Sequence, residues 1–249
     1  MIPKIIHYCW FGRNPLPKSA QRCIASWRKY LPDYEIKEWN EDNFNVDMLP
    51  YTKDAYEAKK YAFVSDVARF WVLYNYGGLY FDTDVEVIKP MGDIVAKGAF
   101  MGWETPNREG IPSVAPGLCI GAIPKNSLFL LILETFSSLT FKNEDGSLHP
   151  YSMVPMVTDL LINHGLKRDG SLQKVEDITI YPSEYFCPMD PTTGIVEKTP
   201  NTVSIHWYDS SWIDQNTISF KLHLLKNKIN RLFGKRFAKW ISGLKWIKH

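Results

Sequence analysis

Short apolar runs alternate with longer segments of helical periodicity along most of the chain. Strand-like runs occupy residues 4–10, 34–39, 79–81, 85–88, 99–103, 118–123, 178–181 and 203–207. Helical patterns cover residues 19–30, 55–75, 128–139 and 153–163. Residues 104–117 and 182–202 are rich in Pro, Gly, Thr and Asn, which predicts loops. Strands that alternate with helices in this way predict an α/β fold with a mixed, mostly parallel sheet.

Composition excludes several classes of protein. The chain has 249 residues, of which 45% are hydrophobic and 14% aromatic, so it can bury a sizeable core and is not a disordered protein. No CxxC pair occurs among the four cysteines, which predicts buried, reduced thiols rather than a zinc site. The N-terminus lacks a signal-peptide pattern, and the most apolar run, residues 128–133, is too short to span a membrane.

Charge is divided unequally between a body, residues 1–217, and a tail, residues 218–249. The tail holds nine basic and no acidic residues, whereas the body holds 20 basic and 27 acidic residues, a net charge of −7. Apolar tail residues recur at helical spacing: Leu222, Leu225, Ile229, Leu232, Phe233, Phe237, Trp240, Ile241 and Leu244. This pattern predicts a basic amphipathic helix, either packed on its own domain or lying on an anionic membrane.

The membrane alternative is favoured because each cation near an anionic surface contributes about 1 kcal/mol. We therefore expect a cytoplasmic protein that is peripheral on the inner face of the membrane and binds anionic vesicles in a salt-sensitive way. Nucleic acid is not an expected partner, since the acidic body lacks the basic surface of a nucleic-acid-binding protein.

The most specific chemical feature is Asp82-Thr83-Asp84, which follows an apolar strand-like run. On an extended segment the two carboxylates point to the same side, roughly 6–7 Å apart. Their mutual repulsion favours a shared divalent cation, and carboxylate oxygens suit Mg²⁺ or Mn²⁺. A solvated surface turn is the alternative, but ligands of open α/β sheets bind at the carboxyl ends of strands.

Asp66 and Arg69 are three residues apart in a helical pattern and therefore share one helix face. An exposed ion pair at this spacing would have little energetic value. Within so apolar a stretch, however, a buried pair would need further partners. Arginine can neutralise a phosphate, and aspartate can accept a hydrogen bond from a sugar hydroxyl.

These motifs, with others, resemble the family 32 glycosyltransferases, a DXD-containing sugar-binding family. The resemblance rests on IPKIIHYCWFG at residues 2–12, SW at 26–27, PDYEI at 32–36, SDVAR at 65–69, LYNYGGLYFDTDV at 73–85, HW at 206–207 and SW at 211–212. This family includes capsular-polysaccharide and lipopolysaccharide sugar transferases and is related to the glucosylating domain of the large clostridial toxins. The resemblance implies a single GT-A type domain over residues 1–217 and a retaining, metal-dependent transfer.

The resemblance also implies roles for the acidic and basic residues. Asp84 would ligate Mn²⁺ or Mg²⁺ at the donor diphosphate, and Asp82 would contact the ribose or sugar and the metal. Asp66 and Arg69 would hold the donor's sugar hydroxyls and phosphate. His206 would be a third metal ligand, although a buried core histidine is the structural alternative.

Aromatic residues are assigned to the donor site in the same way. Trp10, Phe11 and Gly12 match the nucleobase pocket, where an aromatic face can stack on a base. Ser211 and Trp212 match an element that closes on the diphosphate. At residues 117–122 the chain lacks an Asn that many relatives have, so no contact is assigned there.

The resemblance favours a UDP-sugar over a GDP-sugar as donor, carrying a hexose or an N-acetylhexosamine. A polysaccharide or lipid-linked oligosaccharide of surface-glycan biosynthesis is the expected acceptor. Two other functions stay open. Asp82 and Asp84 also resemble the nucleophile and the acid/base of haloacid-dehalogenase-type phosphohydrolases, although that motif normally follows the first strand of its domain. The other is a non-catalytic sugar-binding module at the membrane surface.

Overall fold

The structure, a computed structural model, describes residues 1–106, 109–209, 225–227, 229–230 and 234. Strands and helices alternate along residues 1–209. The strands are β1 (Ile5–Cys9), β2 (Glu35–Trp39), β3 (Gly78–Tyr80), β4 (Val85–Val87), β5 (Phe100–Gly102), β6 (Ile120–Ala122), β7 (Gln173–Val175), β8 (Ile178–Tyr181) and β9 (Ser204–His206). The helices are α1 (Lys18–Tyr30), α2 (Pro50–Glu57), α3 (Tyr61–Tyr76), α4 (Gly92–Val95), α5 (Ser127–Ser137), α6 (Met153–Asn163) and α7 (Ser183–Phe186).

The main sheet has seven strands in the order β2-β1-β3-β6-β5-β8-β7. β1, β2, β3, β5 and β8 run in one direction, and β6 and β7 run in the other. The prediction of an α/β fold with a mixed, mostly parallel sheet is therefore confirmed. Because β1 and β3 are parallel neighbours, the residues that follow them meet at one edge of the sheet.

Apolar side chains cover both faces of this sheet, as expected of a sheet with largely parallel strands. On one face, α2, α3, α5 and α6 pack around a cluster that includes Tyr80 and Phe70. On the other face, α1, α4 and α7 pack around Leu79 and Phe81. The four cysteines are free and buried, as predicted. No helix in the described part of the chain is long and apolar enough to cross a membrane.

The helix predicted over residues 55–75 is wrong at its N-terminal end. α2 ends at Glu57 and α3 begins at Tyr61, with Lys59 between them in the left-handed region at a φ of 57°. The Lys60 N–H donates to the carbonyl of Ala55 at 2.8 Å and closes this turn. Continuous apolar spacing hid the break, because a tight turn between two helices preserves much of the helical periodicity.

A second, two-stranded sheet consists of β4 and β9, paired antiparallel with Val85 opposite His206. Helix α1 holds β4 in place. Trp27 Nε1 donates to the Val85 carbonyl at 2.7 Å, and Ser26 Oγ accepts from the Val87 N–H at 2.9 Å. The conspicuous Ser26-Trp27 pair therefore positions the segment that follows the two aspartates.

The buried His7 connects three elements of the fold. Its Nδ1 accepts from Trp39 Nε1 at 3.0 Å, and its Nε2 donates to the Gly77 carbonyl at 2.8 Å. Only the neutral tautomer with a proton on Nε2 makes both hydrogen bonds. Burial, opposed by the Gly77 hydrogen bond, lowers the pKa of His7 from 6.5 to about 4.

This arrangement predicts an acid-sensitive fold. Because unfolded His7 takes up a proton near pH 6.5 and folded His7 only near pH 4, stability present above pH 6.5 is lost as the pH falls towards 4. The loss attributable to His7 is up to about 3 kcal/mol. Urea unfolding of the wild type and His7→Gln between pH 7 and 4.5 measures it. As a control, His149→Gln, at an exposed position, should keep the pH dependence of the wild type. If the stability of His7→Gln depends on pH as strongly as that of the wild type, the loss is not caused by His7.

A small part of the predicted tail helix lies within the described residues. Residues 225–227 and 229–230 are helical, and Asn230 Nδ2 donates to the Thr193 carbonyl at 3.0 Å. Asn227 lies against Gly194. This part of the tail therefore packs on its own domain. Apart from these residues and residue 234, residues 218–249 lie outside the described part of the chain, and membrane contact stays a prediction.

Candidate functional site

A cleft of about 480 Å³ opens where β1 and β3 end. Its size is within the usual range for small-molecule sites. It is lined by Cys9, Trp10, Phe11, Asn14, Lys59, Lys60, Tyr61, Ala62, Phe63, Ser65, Arg69, Asp82, Thr83, Asp84, His206 and Tyr208. Aromatic and basic residues from β1 and the α2–α3 turn thus face the aspartates that follow β3.

Asp82 is held by groups from two elements. Its Oδ1 forms an ion pair with Arg69 Nη2 and accepts a hydrogen bond from the Tyr80 hydroxyl, both at 3.1 Å. The Arg69 guanidinium lies 5.0 Å from the centre of the Tyr80 ring, a cation–π arrangement. The backbone N–H of Asp82 donates to the Gly117 carbonyl at 3.3 Å. The carboxylate is therefore oriented before any ligand binds.

Asp66 and Arg69 form a buried pair rather than an exposed one. Arg69 Nη2 is 3.0 Å from Asp66 Oδ1, and the Arg69 side chain is only 5% exposed. Arg69 therefore lies between two carboxylates, those of Asp66 and Asp82. Burial raises the pKa of Asp66 to about 6, although the Arg69 charge opposes this rise.

Asp84 is bound by groups brought together by the small sheet. Its Oδ1 lies 3.1 Å from His206 Nε2, and its Oδ2 accepts from the Asp209 N–H at 2.9 Å. The Trp207 N–H donates to the Asp84 carbonyl at 3.0 Å. Because Val85 pairs with His206, the antiparallel register of β4 and β9 brings the histidine to the aspartates.

The two aspartates differ in their electrostatic environment. Burial raises the pKa of Asp82, and the Arg69 charge offsets this only in part. Burial would also raise the pKa of Asp84, but the charge and hydrogen bond of His206 outweigh it and hold that pKa below its usual value. His206 is affected conversely: burial lowers its pKa, and Asp84 more than compensates, so the net shift is upward.

The carboxylates of Asp82 and Asp84 lie closer together than an extended segment implies. The Val85 N–H donates to the Asp82 carbonyl at 3.0 Å, so the chain turns directly after β3. One ligand atom each from Asp82, Asp84 and His206 lies within 4.8 Å of the other two. The turn, rather than strand periodicity, brings the two carboxylates together.

This donor set fits a divalent cation. Two carboxylates and an imidazole suit Mn²⁺, and the carboxylates also suit Mg²⁺. The Nδ1 atom of His206 is buried and has no hydrogen-bond partner among the described residues. The other ring nitrogen, Nε2, lies 3.1 Å from Asp84 Oδ1, so it is the imidazole atom placed to share a cation with the carboxylates. Asp82, Asp84 and His206 are the residues that would hold the cation.

The other end of the cleft is aromatic and tightly packed. Gly12 has a φ of 95°, and a Cβ atom there would overlap the ring of Tyr61. The Gly12 N–H donates to Glu41 Oε1 at 2.5 Å, and Trp10 Nε1 donates to the Asn14 carbonyl at 2.6 Å. Gly12 is therefore required by both backbone conformation and space, and it shapes the wall beside Trp10.

The structure brings most of the predicted site residues together. Trp10, Phe11, Arg69, Asp82, Asp84 and His206 all line the cleft, and Asp66 lies behind Arg69. Ser211 and Trp212 lie outside the described residues. Sequence reasoning missed the cleft residues Lys59, Lys60, Tyr61 and Tyr208. The adjacent lysines beside an aromatic residue were the only available signal, and it is a weak one.

Comparison with known families identifies the segment that carries the aspartates. Residues 17–101 match the model of a family described as the glycosyltransferase sugar-binding region containing DXD motif. The match covers about a third of the 249 residues and includes Asp66, Arg69, Asp82 and Asp84. The DXD motif is Asp82-Thr83-Asp84. The predicted resemblance to DXD glycosyltransferases is thus supported, whereas the assignment to family 32 and the relation to the toxins stay predictions.

Curated relatives are also glycosyltransferases by name. Inositol phosphoceramide mannosyltransferase 1 of Schizosaccharomyces pombe is 29% identical over 111 residues, 40% of this chain and 33% of the relative. Mannosyl phosphorylinositol ceramide synthase CSH1 of Saccharomyces cerevisiae is 27% identical over 143 residues, 54% of this chain and 35% of the relative. The chain spans about a third of the length of these relatives.

Among solved structures, one titled PaToxG Glycosyltransferase aligns with 65% of this chain and 69% of its own. The sequence identity is 20% and the TM-score 0.46. A TM-score below 0.5 is too low to support a functional comparison.

Proposed function

We propose that this protein is a metal-dependent, retaining glycosyltransferase with a GT-A type domain. It would transfer a hexose or N-acetylhexosamine from a nucleotide diphosphate sugar to a polysaccharide or lipid-linked oligosaccharide. The proposal rests mainly on one observation: Asp82, Asp84 and His206 converge within 4.8 Å at a cleft that also holds Arg69 and the aromatic residues after β1.

Different residues of the cleft would bind different parts of the donor. Two carboxylates would repel a diphosphate, whereas a bound divalent cation would act as a Lewis acid and neutralise charge on the departing diphosphate. Arg69, held between Asp66 and Asp82, is placed to bind a phosphate or sugar oxygen. Trp10 and Phe11 offer aromatic surfaces on which a nucleobase can stack.

Retention of configuration removes the need for a protein base. The acceptor hydroxyl would attack from the face that the diphosphate leaves, and a diphosphate oxygen would take its proton. We therefore assign no general base. Glu104 follows β5 at the same sheet edge, and burial raises its pKa against the opposing charge of His206. We propose it as a candidate for contact with an acceptor.

The donor and acceptor are proposed at the level of chemical class. A UDP-sugar is the first candidate and a GDP-sugar the second. The names of the yeast relatives record mannosyl transfer to inositol phosphoceramide, so mannose belongs among the sugars to be tested. A lipid-linked acceptor is compatible with those names.

The phosphohydrolase alternative is less well supported. Its nucleophilic aspartate would be Asp82, whose Oδ1 is already bound by Arg69 and Tyr80. The motif also follows β3 rather than the first strand of the domain. Hydrolysis of p-nitrophenyl phosphate that is lost in Asp82→Asn would support this alternative. A non-catalytic module would bind a donor without Mn²⁺-dependent hydrolysis or transfer.

A thermal-shift panel tests the proposal directly. UDP- and GDP-linked glucose, galactose, mannose and N-acetylhexosamines are added with Mn²⁺ or with EDTA. The true donor at a hundredfold its Kd should stabilise the folded state by about 2.7 kcal/mol, or roughly 5–10 °C in Tm, only when Mn²⁺ is present. The free nucleotide serves as a control for base binding alone. A panel without any Mn²⁺-dependent shift would contradict the proposed function.

A further inference from the structure

Gly117 lies directly against the carboxylate of Asp82. It belongs to residues 115–118, a turn between β5 and β6 that is tied down by backbone hydrogen bonds. The Ala115 N–H donates to the Gly102 carbonyl at 3.1 Å, and the Gly117 carbonyl accepts from the Asp82 N–H at 3.3 Å. This turn closes one side of Asp82.

A side chain at position 117 has no room. A Cβ atom there would overlap Oδ2 of Asp82 and lie 3.3 Å from Nη1 of Arg69. The φ angle of Gly117 is outside the left-handed region, so this angle does not by itself require glycine. The space beside the carboxylate, rather than chain conformation, is therefore what requires glycine here.

The two oxygens of Asp82 are thus restrained in different ways. Oδ1 is held by the ion pair with Arg69 and the hydrogen bond from Tyr80, and Oδ2 lies against the Cα of Gly117. An alanine at position 117 would push the carboxylate towards the cleft. That movement would strain the ion pair with Arg69 and the hydrogen bond from Tyr80, and it would change the distances from Asp82 to Asp84 and His206.

We propose that Gly117 is a positioning residue that sets the orientation of Asp82 for binding a divalent cation. This inference rests on the proposed metal-dependent function, because the orientation matters only if Asp82 contributes to the cation site. Gly117 does not line the cleft, so its proposed effect on the cation site is exerted through Asp82.

Gly117→Ala is compared with Gly92→Ala in the first test. A Cβ atom at Gly92 would meet no other atom within 4 Å, and its φ is not positive, so Gly92 is a matched control. Binding of Mn²⁺ without donor is measured from the electron paramagnetic resonance signal of free Mn²⁺. We expect the Kd for Mn²⁺ to rise about tenfold or more in Gly117→Ala, the scale known for residues that orient metal ligands. Gly92→Ala should bind as the wild type does.

A double-mutant cycle with Asp82→Ala separates positioning from general damage to the fold. Melting temperatures are measured in EDTA. Gly117→Ala should lower the Tm in the wild-type background but have a much smaller effect once the Asp82 carboxylate is gone.

An equal fall in Tm in both backgrounds, or wild-type Mn²⁺ affinity in Gly117→Ala, would overturn the role of Gly117. Failure of the wild type itself to bind Mn²⁺ would instead contradict the proposed function. The cycle in EDTA would still decide whether Gly117 acts through Asp82, so the two failures are distinguishable.

Discussion

Replacement of Asp84 by alanine should abolish Mn²⁺-dependent donor binding and reduce sugar transfer by about 10³-fold or more. This fold-change follows because a bound cation would stabilise the charge on the leaving diphosphate by several kcal/mol. Each loss of about 1.4 kcal/mol lowers the rate tenfold. Asp84 also carries the hydrogen bonds from His206 and from the Asp209 N–H. Its loss therefore removes one ligand and releases a second.

The measurement combines the initial rate of transfer with the Mn²⁺-dependent thermal shift. Asp93→Ala is the control, because Asp93 is an exposed acidic residue in α4. It should leave both quantities unchanged. Asp84→Ala in EDTA should still melt in a single cooperative transition, which would show that the variant folds. A donor shift retained in Asp84→Ala would exclude this residue as a metal ligand.

Replacement of Arg69 by methionine should lower the free energy of unfolding more than any other substitution proposed for this protein. The side chain is 5% exposed and pairs with Asp66 at 3.0 Å and with Asp82 at 3.1 Å. Removing one partner of a buried ion pair costs about 3–5 kcal/mol, because the remaining charge is left uncompensated. Here two carboxylates lose their partner, and sugar transfer should fall as well because Arg69 and Asp82 line the proposed donor site.

The free energies of unfolding of Arg69→Met and of a control, Arg13→Met, are compared by urea unfolding. Arg13 pairs with Asp42 on the surface at 2.8 Å, and both side chains are more than 60% exposed. Its replacement should change stability little. Adding Asp66→Asn to Arg69→Met should restore part of the lost stability. If Arg69→Met unfolds like Arg13→Met, the buried carboxylates do not depend on the Arg69 charge.

Most of the fold was predictable because its elements are governed by local rules. The strand-like runs at residues 4–10 and 178–181 became β1 and β8, and the helical pattern at residues 153–163 became α6. β7, α4 and α7 were missed because their short sequences, QKV, GDIV and SEYF, lack the continuous run of β-branched and aromatic residues that identified equally short strands such as β8. The break between α2 and α3 was missed because Lys59, a residue with no special preference for the left-handed region, forms it.

The candidate site was predictable in its motifs but not in its geometry. Asp82 and Asp84 were recognised by their position after an apolar strand, and Asp66 and Arg69 by their helical spacing. The position of Arg69 between Asp66 and Asp82 was not predictable, because it depends on how α3 packs on β3. No sequence pattern pointed to Gly117, because its proposed role is to leave space beside Asp82, a residue distant from it in the sequence.

The sequence by itself determined most of the strands and longer helices and the position of the paired carboxylates at a strand end. Periods of two and about 3.6 residues depend only on neighbours along the chain. Only the tertiary structure decided that His206 meets Asp84, because the register of β4 against β9 is set by contacts between distant segments. It likewise decided that Arg69 is buried and that the turn after β3 draws the two aspartates together. Distances between side chains on different elements depend on packing, which no local pattern encodes.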